Sequence, residues 1–308
     1  MSHLRVLQWA TGNIGSRALR EVIRHPELEL VGVLVTDPAK EGLDAGVLCG
    51  EPATGILATR KIADVLALAP DCVLYMPRQL ELDDLVALLE AGINVVTTRA
   101  ELFDGGSALE DAARARVVAA CAAGRSSAYA TGSSPGFISE VLPPALLSLQ
   151  RRVERVVIQE FADLSQRDSP DLLFNQMGFG GALDAFDPRR AAHLACSFGP
   201  SLRTIAEACG VVVDAWSSTG EVAAARSDLV IAAGPIAQGT VAAQRMTVIG
   251  SVGGAELIRF SANWYCSTDL EPAWELEPTR PTPPTARSTR RPTFVPRRRA
   301  SCTRLTCR

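Results

Sequence analysis

Three short stretches of the chain hold residue types whose spacing could do chemistry. In "ATGNIGSRA", Gly12 and Gly15 stand between an apolar run and a helical pattern. In that setting the spacing is the phosphate half of a dinucleotide-binding fingerprint. Gly12 allows a tight turn and close backbone approach to a pyrophosphate, and Gly15 lets the helix pack against the strand. The helix N-terminus then turns unpaired N–H groups and a partial positive charge toward the phosphates. The cradle runs over Ala10, Thr11, Gly12, Asn13, Ile14 and Gly15, with Ala10 where the full motif has its first glycine. A strand-to-helix turn with no ligand is the competing reading. The second stretch, "VLVTDPAK", ends an apolar run with Thr36, Asp37 and Lys40. A carboxylate there holds a ribose 2′-hydroxyl and favours NAD, whereas a cation with small hydroxyl neighbours suits the 2′-phosphate of NADP. Asp37 could instead cap a turn before Pro38. The third, "LYMPRQ", sets Met76, Pro77 and Arg78 at a strand exit, where cofactor and substrate meet in open α/β sheets. A strand exit capped by Pro77 explains Arg78 equally well.

Such residues need a scaffold, and the first half of the chain supplies one. The short apolar runs "LRVLQWA", "LELVGVLVT", "DCVLYM", "INVVTT" and "SSAYATG" alternate with helical patterns, of which "GSALEDAARARVVAACAAG" is the longest. Continuous apolar strands between helices predict a parallel sheet covered on both faces. The fold class is therefore α/β, a Rossmann-type doubly wound domain over residues 1–135. From residue 136 the pattern changes to "VERVVIQEFADLS", a helix through "DPRRAAHLACSFGPSLRTIAEACG", and several β-rich segments separated by glycine turns. Consecutive strands without intervening helices predict an α+β domain with a mixed sheet, over residues 136–278, whose exposed face could pair two subunits into a homodimer.

Composition narrows the function classes. The formal net charge of −3 conceals nine arginines and no acidic residue from Thr279 onward, so that residues 1–278 carry −12. An acidic body argues against nucleic acid as a partner, since phosphate neutralisation needs a basic face. No apolar run is long enough to span a bilayer and the N-terminus lacks a signal-peptide pattern, which makes a cytoplasmic protein with no membrane partner the expectation. Eight scattered cysteines without a CxxC, and three histidines, predict neither a metal site nor a disulfide framework. Residues 279–308, rich in Arg, Pro, Ser and Thr, predict disorder. A nucleic-acid or anionic-membrane arm and a frameshifted or read-through terminus are the two readings of that tail.

Six motifs in order, "VLQWATGNIG", "KEGLDAGVLCG", "DCVLYMPR", "GINVVTTRAELF", "ATGSSPGF" and "GTVAAQRMTVIG", together resemble the 2,4-diaminopentanoate dehydrogenase family. These are NAD(P)-dependent amine dehydrogenases related in fold to dihydrodipicolinate reductase. The resemblance spans about residues 4–276. It implies hydride exchange between NADP or NAD and a small amine, or the reverse reductive amination of a carbonyl compound with ammonia.

By the same resemblance Glu101, just after "NVVTT", faces the amine, with Thr98 beside the cofactor. A carboxylate there can bind an ammonium or iminium ion and pass protons; from spacing alone Glu101 is a solvated loop carboxylate. Ser134 and Pro135 match a turn over the nicotinamide, with Ser134 replacing an expected Asn. Phe137, Ser169, Leu173, Asn175 and His193 are the substrate-pocket residues the resemblance implies; a lone helix histidine otherwise sits in the core or on the surface. The His-His pair, the Lys and the "DAPSGTA"-like segment of dihydrodipicolinate reductases proper are missing from "QEFADLSQRDSP". Reduction of a cyclic diacid is therefore disfavoured. A dehydrogenase of another substrate (alcohol, aldehyde or amino acid) and a non-catalytic NAD(P)-binding protein are the alternatives.

Overall fold

The computed structural model describes residues 3–183, 186–276 and 302–307, the last six as backbone. The chain forms two compact units, Met1–Phe137 and Ile138–Arg308, against an expected boundary at residue 135. No helix among the described residues is long and apolar enough to cross a membrane.

In the first unit, β1 (Leu4–Trp9), β2 (Leu28–Leu34), β3 (Ala58–Thr59), β4 (Cys72–Tyr75), β5 (Asn94–Thr97) and β6 (Ala128–Ala130) make one sheet in the order β3-β2-β1-β4-β5-β6. Every pairing in it is parallel. The order turns back at β1 and β4, which is where a doubly wound sheet opens a crevice at its carboxyl edge. The expected α/β class is the observed one. The strands are largely apolar because both faces of the sheet are covered. Leu7, Val73 and Val95 join the helical Leu85, Leu88 and Leu89 in one cluster. Leu19, Val33, Val35 and Ala45 form a second. The Trp9 and Tyr75 rings, tilted at 49° with centroids 5.2 Å apart, fill the junction of β1 with β4.

The second unit contains β7 (Val156–Asp163), β8 (Ala215–Ala225), a small hairpin of β9 (Leu229–Ile231) with β10 (Gly234–Ile236), β11 (Val241–Val252), β12 (Ala255–Tyr265), β13 (Leu270–Glu271) and β14 (Cys302–Cys307). The main sheet runs β13-β8-β11-β12-β7-β14, with β12 and β7 parallel and its other neighbours antiparallel. It is the mixed sheet expected. One face packs against the helix Pro188–Ala208, where Leu194, Phe198, Leu202 and Ile205 meet Met246, Val248, Ile258 and Phe260. Residues 279–301 and 308 of the tail lie outside the described residues. At Cys302–Cys307 the expectation of disorder is corrected. That segment pairs antiparallel with β7, whose outer N–H and C=O groups otherwise face no strand.

Candidate functional site

The glycine turn is built by the end of β1 and the start of the helix Asn13–Arg24. Ala10 adopts a left-handed backbone, φ +69°, the conformation for which the fingerprint keeps a glycine. An alanine there costs about 1–2 kcal/mol, and its neighbours hold it. Its N–H donates to the Leu34 carbonyl at 2.7 Å, and its carbonyl accepts from Nε2 of the fully buried Gln8 at 2.9 Å. A Cβ on Gly15 would lie 2.0 Å from the Ala10 carbonyl oxygen, so only hydrogen fits between helix and strand. A Cβ on Gly12 would meet nothing within 4 Å. The turn is therefore open on the side from which a phosphate would approach. No acidic residue occupies the helix's first turn, leaving its N–H groups for an anion.

Asp37 does what its alternative reading proposed: its Oδ1 accepts from the Ala39 N–H at 3.0 Å and caps the turn Pro38–Lys40. Lys40 Nζ reaches back to the glycine turn, donating to the Thr11 carbonyl at 2.9 Å and approaching Thr11 Oγ1 at 3.3 Å. Ala10–Gly15, Thr36, Asp37, Lys40, Met76–Arg78 and Thr98 all line one cleft of about 430 Å³. An adjoining cleft of about 610 Å³ shares Thr36, Pro77 and Arg78 with it and adds Arg60, Ile62, Glu81 and Asp84. Burial, then the neighbouring Glu81 and Asp83 charges, raise the Asp84 carboxyl above its ordinary value. Beneath, burial pushes the Tyr75 phenol up to about 12, and its oxygen accepts from the Glu81 N–H at 3.0 Å. These residues fit a dinucleotide: a backbone cradle without a Cβ in the way, free helix N–H groups and a cleft along the carboxyl edge.

Glu101 sits on the single turn Ala100–Leu102 that follows β5. Its Oε1 is ion-paired with Nη2 of Arg99, and its Oε2 is buried without a partner. The same guanidinium donates through Nη1 to the carbonyl of Arg78, a residue of both clefts. Ser134 and Pro135 do not line those clefts. They lie in the turn after β6, closed by the Phe137 N–H on the Gly132 carbonyl at 2.7 Å, with the Phe137 ring exposed.

The remaining expected pocket residues belong to the second unit. Leu173 requires a correction: it is 0% exposed, packed with Phe179, Ala223 and Ile236 in the core, and has no surface to offer a ligand. The turn Asp171–Gln176 must bury one side, and Leu173 is on it. Asn175 is exposed and donates to Asp171 Oδ1 at 2.9 Å. Ser169 is half-buried, and its carbonyl accepts from the Leu173 N–H at 3.0 Å. His193 is exposed, off the packed stripe of its helix. Two residues escaped the reading of the sequence. Arg99 stands two positions before Glu101, a cation next to a candidate carboxylate that could have been noticed. Gln8, a polar residue at the buried end of a largely apolar strand, was the other signal. Among the described residues no group of three or more His, Cys, Asp or Glu could hold a metal ion.

No model of a known protein family matches the chain. An amine dehydrogenase from Streptomyces virginiae is 32% identical over 282 residues, an alignment spanning 88% of this chain and 77% of that protein. Among solved structures, an amine dehydrogenase from Mycobacterium smegmatis superposes with a TM-score of 0.69 at 19% identity, covering 86% of this chain and 80% of that one. A dehydrogenase from Clostridium difficile gives a TM-score of 0.50 at 10% identity, over 85% of this chain and 70% of its own. At those identities the two structures speak for the fold alone. The sequence relationship goes further, because it extends over most of both chains: this protein belongs to the amine dehydrogenase family.

Proposed function

We propose that the protein is an NAD(P)-dependent amine dehydrogenase that interconverts a small amine with its carbonyl compound and ammonia. The observation that carries the reading is Glu101, a carboxylate beyond β5 with one oxygen held by Arg99 and the other buried and unpartnered. When bound, the nicotinamide dinucleotide supplies the hydride acceptor for the amine or the hydride donor for the imine. The glycine turn, Lys40 and the cleft along β1, β2 and β4 support binding of its phosphates and ribose, and leave both NADP and NAD as candidates. The chain's own contribution is electrostatic and protic. Glu101 Oε2 accepts a hydrogen bond from the substrate nitrogen and stabilises positive charge as the amine becomes an iminium ion. It then takes and returns the protons that water addition and ammonia departure require.

The six described cysteines are all free, which supports a reducing, cytoplasmic setting. The sheet face opposite the helix Pro188–Ala208 carries hydrogen-bonded polar groups, Thr247 with Ser261 at 3.0 Å and Arg245 with Glu221 at 2.9 Å. We propose that two copies pair through this second unit as a homodimer, which sedimentation velocity checks by its mass. The activity is tested by monitoring NADH and NADPH oxidation against a panel of small ketones and aldehydes, with and without ammonium. Oxidation that needs ammonium supports the proposal. Oxidation without ammonium assigns a carbonyl reductase instead, and cofactor binding with no oxidation assigns a non-catalytic binding protein.

A further inference from the structure

Arg99 joins two strand exits. Its backbone N–H donates to Thr97 Oγ1 at 3.1 Å, anchoring it at the end of β5. Its guanidinium then divides between Glu101 Oε1, on the turn beyond β5, and the Arg78 carbonyl beyond β4. The Arg99 side chain is 22% exposed and that of Glu101 33%, so the pair is screened less than a surface pair. A planar fork can satisfy a carboxylate and a carbonyl together, as a lysine ammonium on a flexible stem does less well. With Oε1 occupied, Oε2 is the oxygen left for another donor.

We infer that Arg99 is a positioning residue for the amine reaction. It fixes the Glu101 carboxylate through Oε1, which leaves the enclosed Oε2 as the oxygen without a protein partner, and it registers that carboxylate against the strand exit lining the cofactor cleft. The inference rests on the proposed amine dehydrogenase activity, and it has a chemical consequence. Only the neutral amine can release a hydride, because its nitrogen lone pair must become the new C=N bond. A bare carboxylate would favour the unreactive ammonium form. A carboxylate already paired with a guanidinium attracts that cation less, while still accepting a hydrogen bond.

The test compares the full-length wild type with Arg99→Met, Arg99→Lys, Glu101→Gln and the Arg99→Met/Glu101→Gln double variant. Cofactor affinity, melting temperature and kcat and KM for the best substrate of the ammonium-dependent screen are measured, and the wild type and Arg99→Met are crystallised. We expect Arg99→Met to lower kcat about 10- to 100-fold, the cost of a misplaced catalytic group. Its cofactor Kd should stay within about threefold. Arg99→Lys should recover part of the loss, and the double variant should be no slower than Glu101→Gln. In the Arg99→Met crystal, Glu101 should leave the orientation it has in the wild type. An Arg99→Met kcat within threefold of wild type, multiplicative losses in the double variant, or an unmoved Glu101 would each overturn the inference. If the wild type turns over no amine, the proposed activity fails, while the crystal comparison still decides whether Arg99 positions Glu101.

Discussion

Adding one methyl group at Gly12 and one at Gly15 should have opposite consequences. Gly12 has φ −74°, which any residue adopts, and its new Cβ would meet nothing within 4 Å. Gly12→Ala should gain about 0.4–1 kcal/mol from the stiffer unfolded chain. It should lose a similar amount because alanine is a poor helix N-cap. The melting temperature should then move by no more than about 3 °C. The methyl group would, however, stand where a pyrophosphate approaches the backbone, and cofactor should bind at least about tenfold more weakly, or 1.4 kcal/mol. At Gly15 the new Cβ would lie 2.0 Å from the Ala10 carbonyl oxygen and 2.9 Å from its carbon, both backbone atoms that cannot rotate away. The helix must lift, uncovering Leu19 and Val22 beneath it. Overpacking of this kind costs about 3 kcal/mol, or roughly 10 °C in a domain of this size. Scanning fluorimetry reads the stability and nucleotide fluorescence titration the affinity. Unchanged cofactor binding by Gly12→Ala would refute the phosphate cradle, and a wild-type melt of Gly15→Ala would refute the close helix–strand approach.

Other consequences can be checked on the same material. Lys40→Met removes the tie to Thr11 and should weaken NADH and NADPH alike by about tenfold; a loss confined to NADPH would instead assign Lys40 to the 2′-phosphate. The Phe260 ring is fully buried and stacked on Phe198 with centroids 4.2 Å apart, so Phe260→Ala should cost about 3–5 kcal/mol in a denaturant melt. The Asp44 carboxylate accepts N–H bonds from Thr54 at 2.9 Å, Gly46 at 2.7 Å and Gly55 at 2.7 Å, which together hold it below the ordinary carboxylate value against a smaller opposing effect of burial. A carboxylate depressed in this way stabilises the fold above its unfolded value, near 4, and ceases to as pH falls through the lower folded one. Asp44→Asn should therefore flatten the acid limb of melting temperature against pH below about 4, and an unchanged limb would contradict the capping role.

The parallel strands were legible because helices cover both faces of their sheet, which leaves short apolar centres such as the "VLV" of 33–35 and the "VV" of 95–96. Strand β3 was not: at two residues, Ala58–Thr59, it is too short to leave a pattern. The helix in "GSALEDAARARVVAACAAG" begins only at Asp111, since Gly105 and Gly106 take positive φ values of 60° and 77° and turn the chain first. At the site, glycine spacing identified the turn but not the left-handed Ala10, whose conformation depends on Leu34 and Gln8 reaching it from elsewhere in the sheet. Asp37 had two readings: the geometry of Pro38–Lys40 shows the cap, and the same residue also lines the cleft. Leu173 was misassigned because a short turn buries one of several apolar residues, and spacing does not say which. The Arg99 bridge needs β4 and β5 to be neighbours, a fact of topology that no local stretch contains.

The central claim is that Glu101 handles the substrate nitrogen of an ammonium-dependent dehydrogenase. The most direct measurement is steady-state NAD(P)H oxidation by wild type and Glu101→Gln, with ammonium and a turned-over carbonyl compound, alongside cofactor Kd for each. The amide keeps the side chain's shape but removes its charge and its capacity to take a proton. The account predicts a rate loss of about 10²- to 10⁴-fold with cofactor affinity unchanged. A Glu101→Gln enzyme that retains the wild-type rate would contradict it.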